Sequence, residues 1–137
     1  MAQHWLAYHK VHSKDNPFPY TALGQPIVYM KKEFNLNVGD IIWMIQGDKI
    51  SNKETLYTLV DCFTVHVKTT PPAIVSDEFM CAYTGKKSLL TIPIEWDKSK
   101  EDWKLIHQKF LTKRPGLRKA TSIEAAALKN ISGISKF

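Results

Sequence analysis

A chain of 137 residues with 44% hydrophobic and 23% charged side chains has the make-up of one ordinary globular domain, read here as a single unit over 1–137. That length can bury roughly two-thirds of the unfolded surface, so neither a disulfide nor a metal staple is needed, and the absence of about 18 consecutive apolar residues excludes a membrane-spanning helix. A net charge of +6 disfavours basic partners and favours acidic ones, above all phosphate backbones.

His4 to His9 reads as an opening strand, since Trp5, Leu6 and Tyr8 suit a pleated surface. Met1 to Lys10 has no long apolar core of a signal peptide, so a cytoplasmic location is expected. Val11 to Gln25 carries Asp15, Asn16, Pro17, Pro19 and Gly24 and reads as a loop. Pro26 to Phe34 fits either a strand or a short helix. Asn37-Val38-Gly39-Asp40 is a turn signal, and Ile41 to Ile45 behind it is a buried strand that Gly47-Asp48-Lys49 should close.

Leu56 to Val67 is a long strand with Tyr57, Leu59, Phe63, Val65 and Val67 alternating on one face around Asp61. Its length predicts a bend or bulge. Phe79 to Tyr83 is a further strand, Thr84-Gly85-Lys86-Lys87 a hairpin-like turn, and Ser88 to Ile94 the returning strand. Ser99 to Leu111 is a helix with Trp103, Ile106 and Phe110 on one face. Thr121 and Glu124 form a capping-box pattern that opens a last helix over 122–130, with a frayed tail from Gly133.

Chemistry-bearing residues are sparse. Cys62 and Cys81 lie in apolar runs and read as buried reduced thiols. His4, His9 and His12 match no zinc spacing, and no metal or cofactor is expected. Neither a nucleophile elbow nor a Gly-rich phosphate loop is present, so catalysis by this chain is the weaker expectation. Cations cluster at Lys31-Lys32, at Lys86-Lys87, and at Lys109, Lys113, Arg114, Arg118 and Lys119. These are either solvated faces or phosphate contacts that supply affinity without sequence information. Trp103 reads as core and Trp43 as core or pocket wall. Trp5, Tyr8, Phe18, Tyr20 and Trp96 sit at strand ends or in loops, where an aromatic face either packs or stacks on an unpaired base.

Two blocks carry a resemblance. His4-Trp5-Leu6-Ala7-Tyr8-His9-Lys10 resembles the opening strand of EVE domains, and Val38-Gly39-Asp40-Ile41-Ile42-Trp43-Met44-Ile45-Gln46-Gly47 resembles their Gly-Asp strand, with Leu56 to Val67 as the next barrel strand. The EVE family belongs to the PUA-like superfamily, with ASCH, YTH and SRA-type domains. The resemblance implies an α+β fold: a small PUA-like curved β-barrel of five or six strands with flanking helices, holding a pocket for one modified base. It departs from the EVE pattern at Lys10-Val11-His12 and at Gln46-Gly47.

The expectation is a nucleic-acid-binding domain, DNA favoured over RNA, that reads a flipped base as the specificity module of a modification-dependent restriction system. A nuclease domain or subunit would be its partner. Trp5, His9, Lys10, Trp43, Gln46, Gly47 and Asp48 would form the base pocket, provided that the first and the Gly-Asp strands run parallel. Lys86, Lys87, Arg114, Arg118 and Lys119 would hold phosphates. The alternatives are an ASCH-like amidohydrolase acting on modified nucleosides, an RNA-binding PUA-like module, and a protein-interaction module.

Overall fold

The computed structural model describes residues 2–10, 24–30, 35–51, 54–69, 81–97, 99–107 and 117–134. In chain order these form β1 (His4–Lys10), β2 (Ile27–Met30), β3 (Ile41–Ser51), β4 (Glu54–Thr64), β5 (Val67–Thr69), β6 (Cys81–Thr84), β7 (Ile94–Glu95), α1 (Glu101–Ile106), β8 (Leu117–Lys119) and α2 (Ser122–Ser132). A five-stranded sheet has the order β7-β4-β3-β1-β8, and a three-stranded sheet the order β2-β6-β5. The fold is α+β. Eight strands are present among the described residues, against five or six expected. The surplus comes from β5, β7 and β8, which are two or three residues long and too short for periodicity to reveal.

The large sheet is the middle of three layers. One of its faces carries Trp5, Ala7, Ile42, Met44 and Phe63 against Val28, Met30, Cys81 and Tyr83 of the small sheet. The other carries Leu6, Trp43, Ile45 and Leu59 against Trp103, Ile106, Ala127 and Leu128 of the helices. The two sheets are joined where β4 bends into β5, with Val65 N–H donating to Asp40 O (2.7 Å) and His66 N–H to Thr84 O (2.8 Å).

Asp40, 4% exposed, explains the Gly-Asp motif. Its carboxylate accepts from Gln3 N–H, Trp5 Nε1–H and Asn37 N–H, each at 3.1 Å, so it ties the start of β1 to the start of β3. A buried carboxylate with three donors is stable there because each of its hydrogen bonds is charge-assisted.

Four expectations are corrected. β3 does not close at Gly47-Asp48-Lys49; it runs on to Ser51, because β4 returns from Glu54 and keeps pairing through Ser51↔Glu54. Ser88 to Ile94 is not a strand: β6 has β2 on one side and β5 on the other, so no edge is open to a returning strand after Gly85. That segment is anchored instead by Leu89 N–H to Cys62 O (2.7 Å) and Ser88 Oγ–H to Asp61 Oδ2 (2.9 Å). The long strand does bulge, and the bulge divides its apolar face. Met44 pairs with Asp61 and Ile45 with Leu59, leaving Val60 extra, so Tyr57 and Leu59 face the helices while Phe63 and Val65 face the small sheet. Gly133 is not frayed; it caps α2 in the left-handed region (φ 74°), with its N–H on Lys129 O.

The capping box stands as expected, Thr121 and Glu124 exchanging bonds at 3.0 and 3.2 Å. Helix α1 ends at Ile106, and its expected continuation beyond His107 lies outside the described residues. The same holds for the 11–23 loop and for Lys31, Lys32, Lys109, Lys113 and Arg114. Both cysteines are buried and neither is in a disulfide, and no described helix is long and apolar enough to cross a membrane.

Candidate nucleic-acid interface

Strands β1 and β3 run parallel, with His9 opposite Gln46 and Lys10 opposite Gly47. Their C-terminal ends therefore open at one mouth. Antiparallel β4 brings its N-terminal end to the same place, Tyr57 opposite Gly47 and Leu56 opposite Asp48. Trp96 follows β7 there, its N–H on Tyr57 O at 3.0 Å.

The alternation of a strand divides the expected pocket residues between two faces. Trp43 and Gly47 lie on the helix side, while Trp5, Gln46 and Asp48 lie on the small-sheet side. Trp43 is 0% and Trp5 7% exposed, so neither ring offers a face to a ligand. Both indoles have structural partners: Trp5 Nε1–H donates to Asp40, and Trp43 Nε1–H donates to His4 Nδ1 at 2.9 Å beneath a stacked imidazole. Burial, and then Lys129, hold the His4 pKa below the ordinary histidine value, which keeps Nδ1 an acceptor. Gln46 and Asp48 are partly exposed at the mouth. His9 and Lys10 reach it by backbone position; their side chains lie outside the description.

On the helix side the mouth is lined by aromatic rings. Tyr8 and Tyr57 stand 6.5 Å apart, Tyr57 and Trp96 5.5 Å, and Trp96 and Trp103 4.1 Å. His107 lies 6.0 Å from both Tyr57 and Trp96. All of these pairs are tilted or edge-on; Tyr57 and Trp103 are buried beneath, and Tyr8, Trp96 and His107 are the members that reach the surface. Tyr8 and Trp96 are partly buried and His107 is exposed, which puts polar-tipped aromatic surface at the rim. Gly47 makes this possible: a Cβ there would overlap the Tyr8 hydroxyl and stand 2.9 Å from its Cζ. The glycine lets the Tyr8 ring lie over the β3 backbone.

In the sequence Tyr57 stands on the apolar face of a strand and His107 is not singled out, and neither is assigned to the site. Two signals pointed to them: a strand glycine marks a close approach to its neighbours, and His107 falls four residues after Trp103 on the same helix.

Among the described residues, the expected phosphate contacts do not gather at this mouth. Lys86 and Lys87 line a cleft beside Val38 and Gly39, at the opposite end of β3. Gly39 and Gly47 are separated by a strand length on the order of 25 Å. Arg118 has a structural partner instead, its guanidinium forming a two-pronged pair with Glu124 at 2.9 and 2.6 Å. Burial raises the Glu124 pKa, but Arg118 and Thr121 outweigh it and hold the carboxyl below its ordinary value. The pair locks the start of α2 onto β8. Lys119 is exposed beside it.

No family model matches the sequence, and no curated protein sequence does. Among solved structures, the N-terminal domain of McrB from Thermococcus gammatolerans, bound to m5C DNA, matches with a TM-score of 0.53. The match covers 94% of this chain and 96% of that one at 12% identity. The two chains share a fold, which in this chain is α+β: one mixed sheet, one antiparallel sheet and two packed helices among the described residues.

Proposed function

We propose that this domain binds DNA and holds one flipped, modified base against the aromatic mouth at the ends of β1 and β3. The observation that carries the reading is the parallel pairing that brings Tyr8, Gly47 and, through β4, Tyr57 and Trp96 to one opening. Support also comes from the shared fold with a domain bound to m5C DNA. A flipped base costs a few kcal/mol of unstacking, which stacking and edge hydrogen bonds must offset. Here Tyr8, Trp96 and His107 supply stacking surface, and Gln46 and Asp48 on the neighbouring face supply groups for a base edge.

Lys119 and Arg114 are the cations proposed to hold phosphates. A fused or partner nuclease in a cytoplasmic restriction system fits this role, as an EVE-like specificity module. RNA bearing a modified base is the competing ligand.

The test is titration of matched labelled oligonucleotides, DNA and RNA, carrying plain cytosine, 5-methylcytosine, 5-hydroxymethylcytosine or methylated adenine. One modified DNA should bind best. Trp96→Ala should weaken it by about 5- to 150-fold, the range for one stacked base, with folding checked by melting. Gln46→Ala and Asp48→Ala should alter the preference between modified and plain bases. Equal binding of all oligonucleotides by parent and variants overturns the reading.

A further inference from the structure

The cleft at the far end of β3 holds about 320 Å³ and is lined by Val38, Gly39, Thr64, Val65, His66, Lys86, Lys87 and Leu89. Its chemistry is divided. Val38 and Leu89 give branched aliphatic walls, while Lys86, Lys87 and His66 stand exposed around them. No carboxylate is among the lining residues. The backbone at its floor is already satisfied, Gly39 N–H on Val65 O, Val65 N–H on Asp40 O and His66 N–H on Thr84 O. Val38 is 69% exposed, an apolar side chain held open at the entrance by the turn before β3.

We infer that this cleft is a second ligand site, distinct from the mouth, that takes a mononucleotide: the flat face of a base between Val38 and Leu89, with its phosphate on Lys86 and Lys87. The volume lies at the small end of the range for small-molecule sites, which suits a single compact ligand rather than an extended peptide. Two adjacent lysines without a competing carboxylate complement a phosphate. Satisfied backbone groups and aliphatic walls leave little to read a base edge, so the site grips by shape and charge and discriminates weakly between bases. The nucleotide is either free or part of a bound strand; the chemistry is the same.

The experiment follows backbone amide shifts of the isotopically labelled chain on titration with 5′-dAMP, 5′-dCMP, deoxyadenosine and inorganic phosphate. Both nucleotides should shift the amides of Val38, Gly39, Thr64 and Val65 with similar affinity. Deoxyadenosine and phosphate alone should bind at least about tenfold more weakly, because each lacks half of the contact. The double variant Lys86→Ala/Lys87→Ala should lose about tenfold or more, and so should Val38→Asp, both at exposed positions that leave the fold intact. Trp96→Ala should change nothing here, which separates this site from the mouth. An unmodified oligonucleotide that shifts the same amides and competes with dAMP identifies the source as a strand; competition by dAMP alone identifies a free nucleotide. Equal binding of phosphate and dAMP, shifts confined to Gln46 and Tyr57, or unchanged affinity in the lysine variant would each overturn the inference.

Discussion

Replacing Gly47 by alanine separates the work of the mouth from the stability of the fold. Gly47 has no left-handed backbone, so alanine is allowed by φ and ψ, and restricting the unfolded chain favours it by about 0.4–1 kcal/mol. The new methyl would overlap the Tyr8 hydroxyl and crowd Cζ at 2.9 Å and Cε2 at 3.2 Å. The ring must swing away, at a cost of about 1–3 kcal/mol for an overpacked site. The two effects partly offset, so Gly47→Ala should lower stability by about 0–2 kcal/mol, readable in a urea melt. Affinity for the preferred modified oligonucleotide should fall further, by about 5- to 150-fold if Tyr8 supplies one stacking face. Fluorescence anisotropy at fixed salt measures this. A double-mutant cycle supplies the control: in a Tyr8→Ala background the methyl has room, so adding Gly47→Ala should cost no further affinity. Parent-like binding by Gly47→Ala, or losses that add in the double variant, would show that Tyr8 over Gly47 does not shape the binding site.

Three further outcomes follow from the buried polar groups. Glu124→Gln should destabilise the fold by about 3 kcal/mol, the lower end for a broken buried pair, since the Arg118 side chain is 29% exposed. The Glu124 pKa is depressed on folding, so its contribution is complete above the ordinary value of about 4.3 and fades as pH falls through the lower folded value; parent stability measured from pH 5 to 3 should drop more steeply than that of Glu124→Gln. Asp40→Ala should cost about 2–4 kcal/mol by stranding donors from Gln3, Trp5 and Asn37, while the folded fraction keeps its DNA affinity, and a binding defect without a melting shift would refute the structural role. The Cys62 thiol, its pKa pushed well up by burial and then by Asp61, should resist alkylation in the native state and react only on unfolding, as followed by mass spectrometry.

What was legible in the sequence was local. Thr121 and Glu124 sit three residues apart and satisfy each other, so the start of α2 could be read from four letters. The turn at Asn37–Asp40 and the strand behind it were equally self-contained. What escaped depended on distant neighbours. The apparent single face of Tyr57, Leu59, Phe63 and Val65 is divided by a bulge visible only once β3 is paired with β4. Ser88 to Ile94 has strand-like composition, but β2 and β5 already occupy both edges of β6. The parallel condition on β1 and β3 is met, so the strand ends named in the sequence do lie side by side. The residues named there do not share one face, because alternation along β3 sends Trp43 and Gln46 to opposite sides, and both tryptophans are buried. Arg118 read as a free cation because Glu124, its partner, lies on the next element, across the turn.

The place of β1 in the large sheet has a bearing on how the chain folds. It is flanked by β3, reached by a parallel crossover, and by β8, whose Lys119 pairs with Trp5 from more than a hundred positions away. A strand made first therefore gains its second neighbour last. During synthesis β1 has β3 as its one sheet neighbour until residues 117–119 emerge. Pairing across such separations makes for high contact order and slow, late closure of the sheet. The mouth, at the other end of β1, draws its last ring from His107 and does not wait for β8.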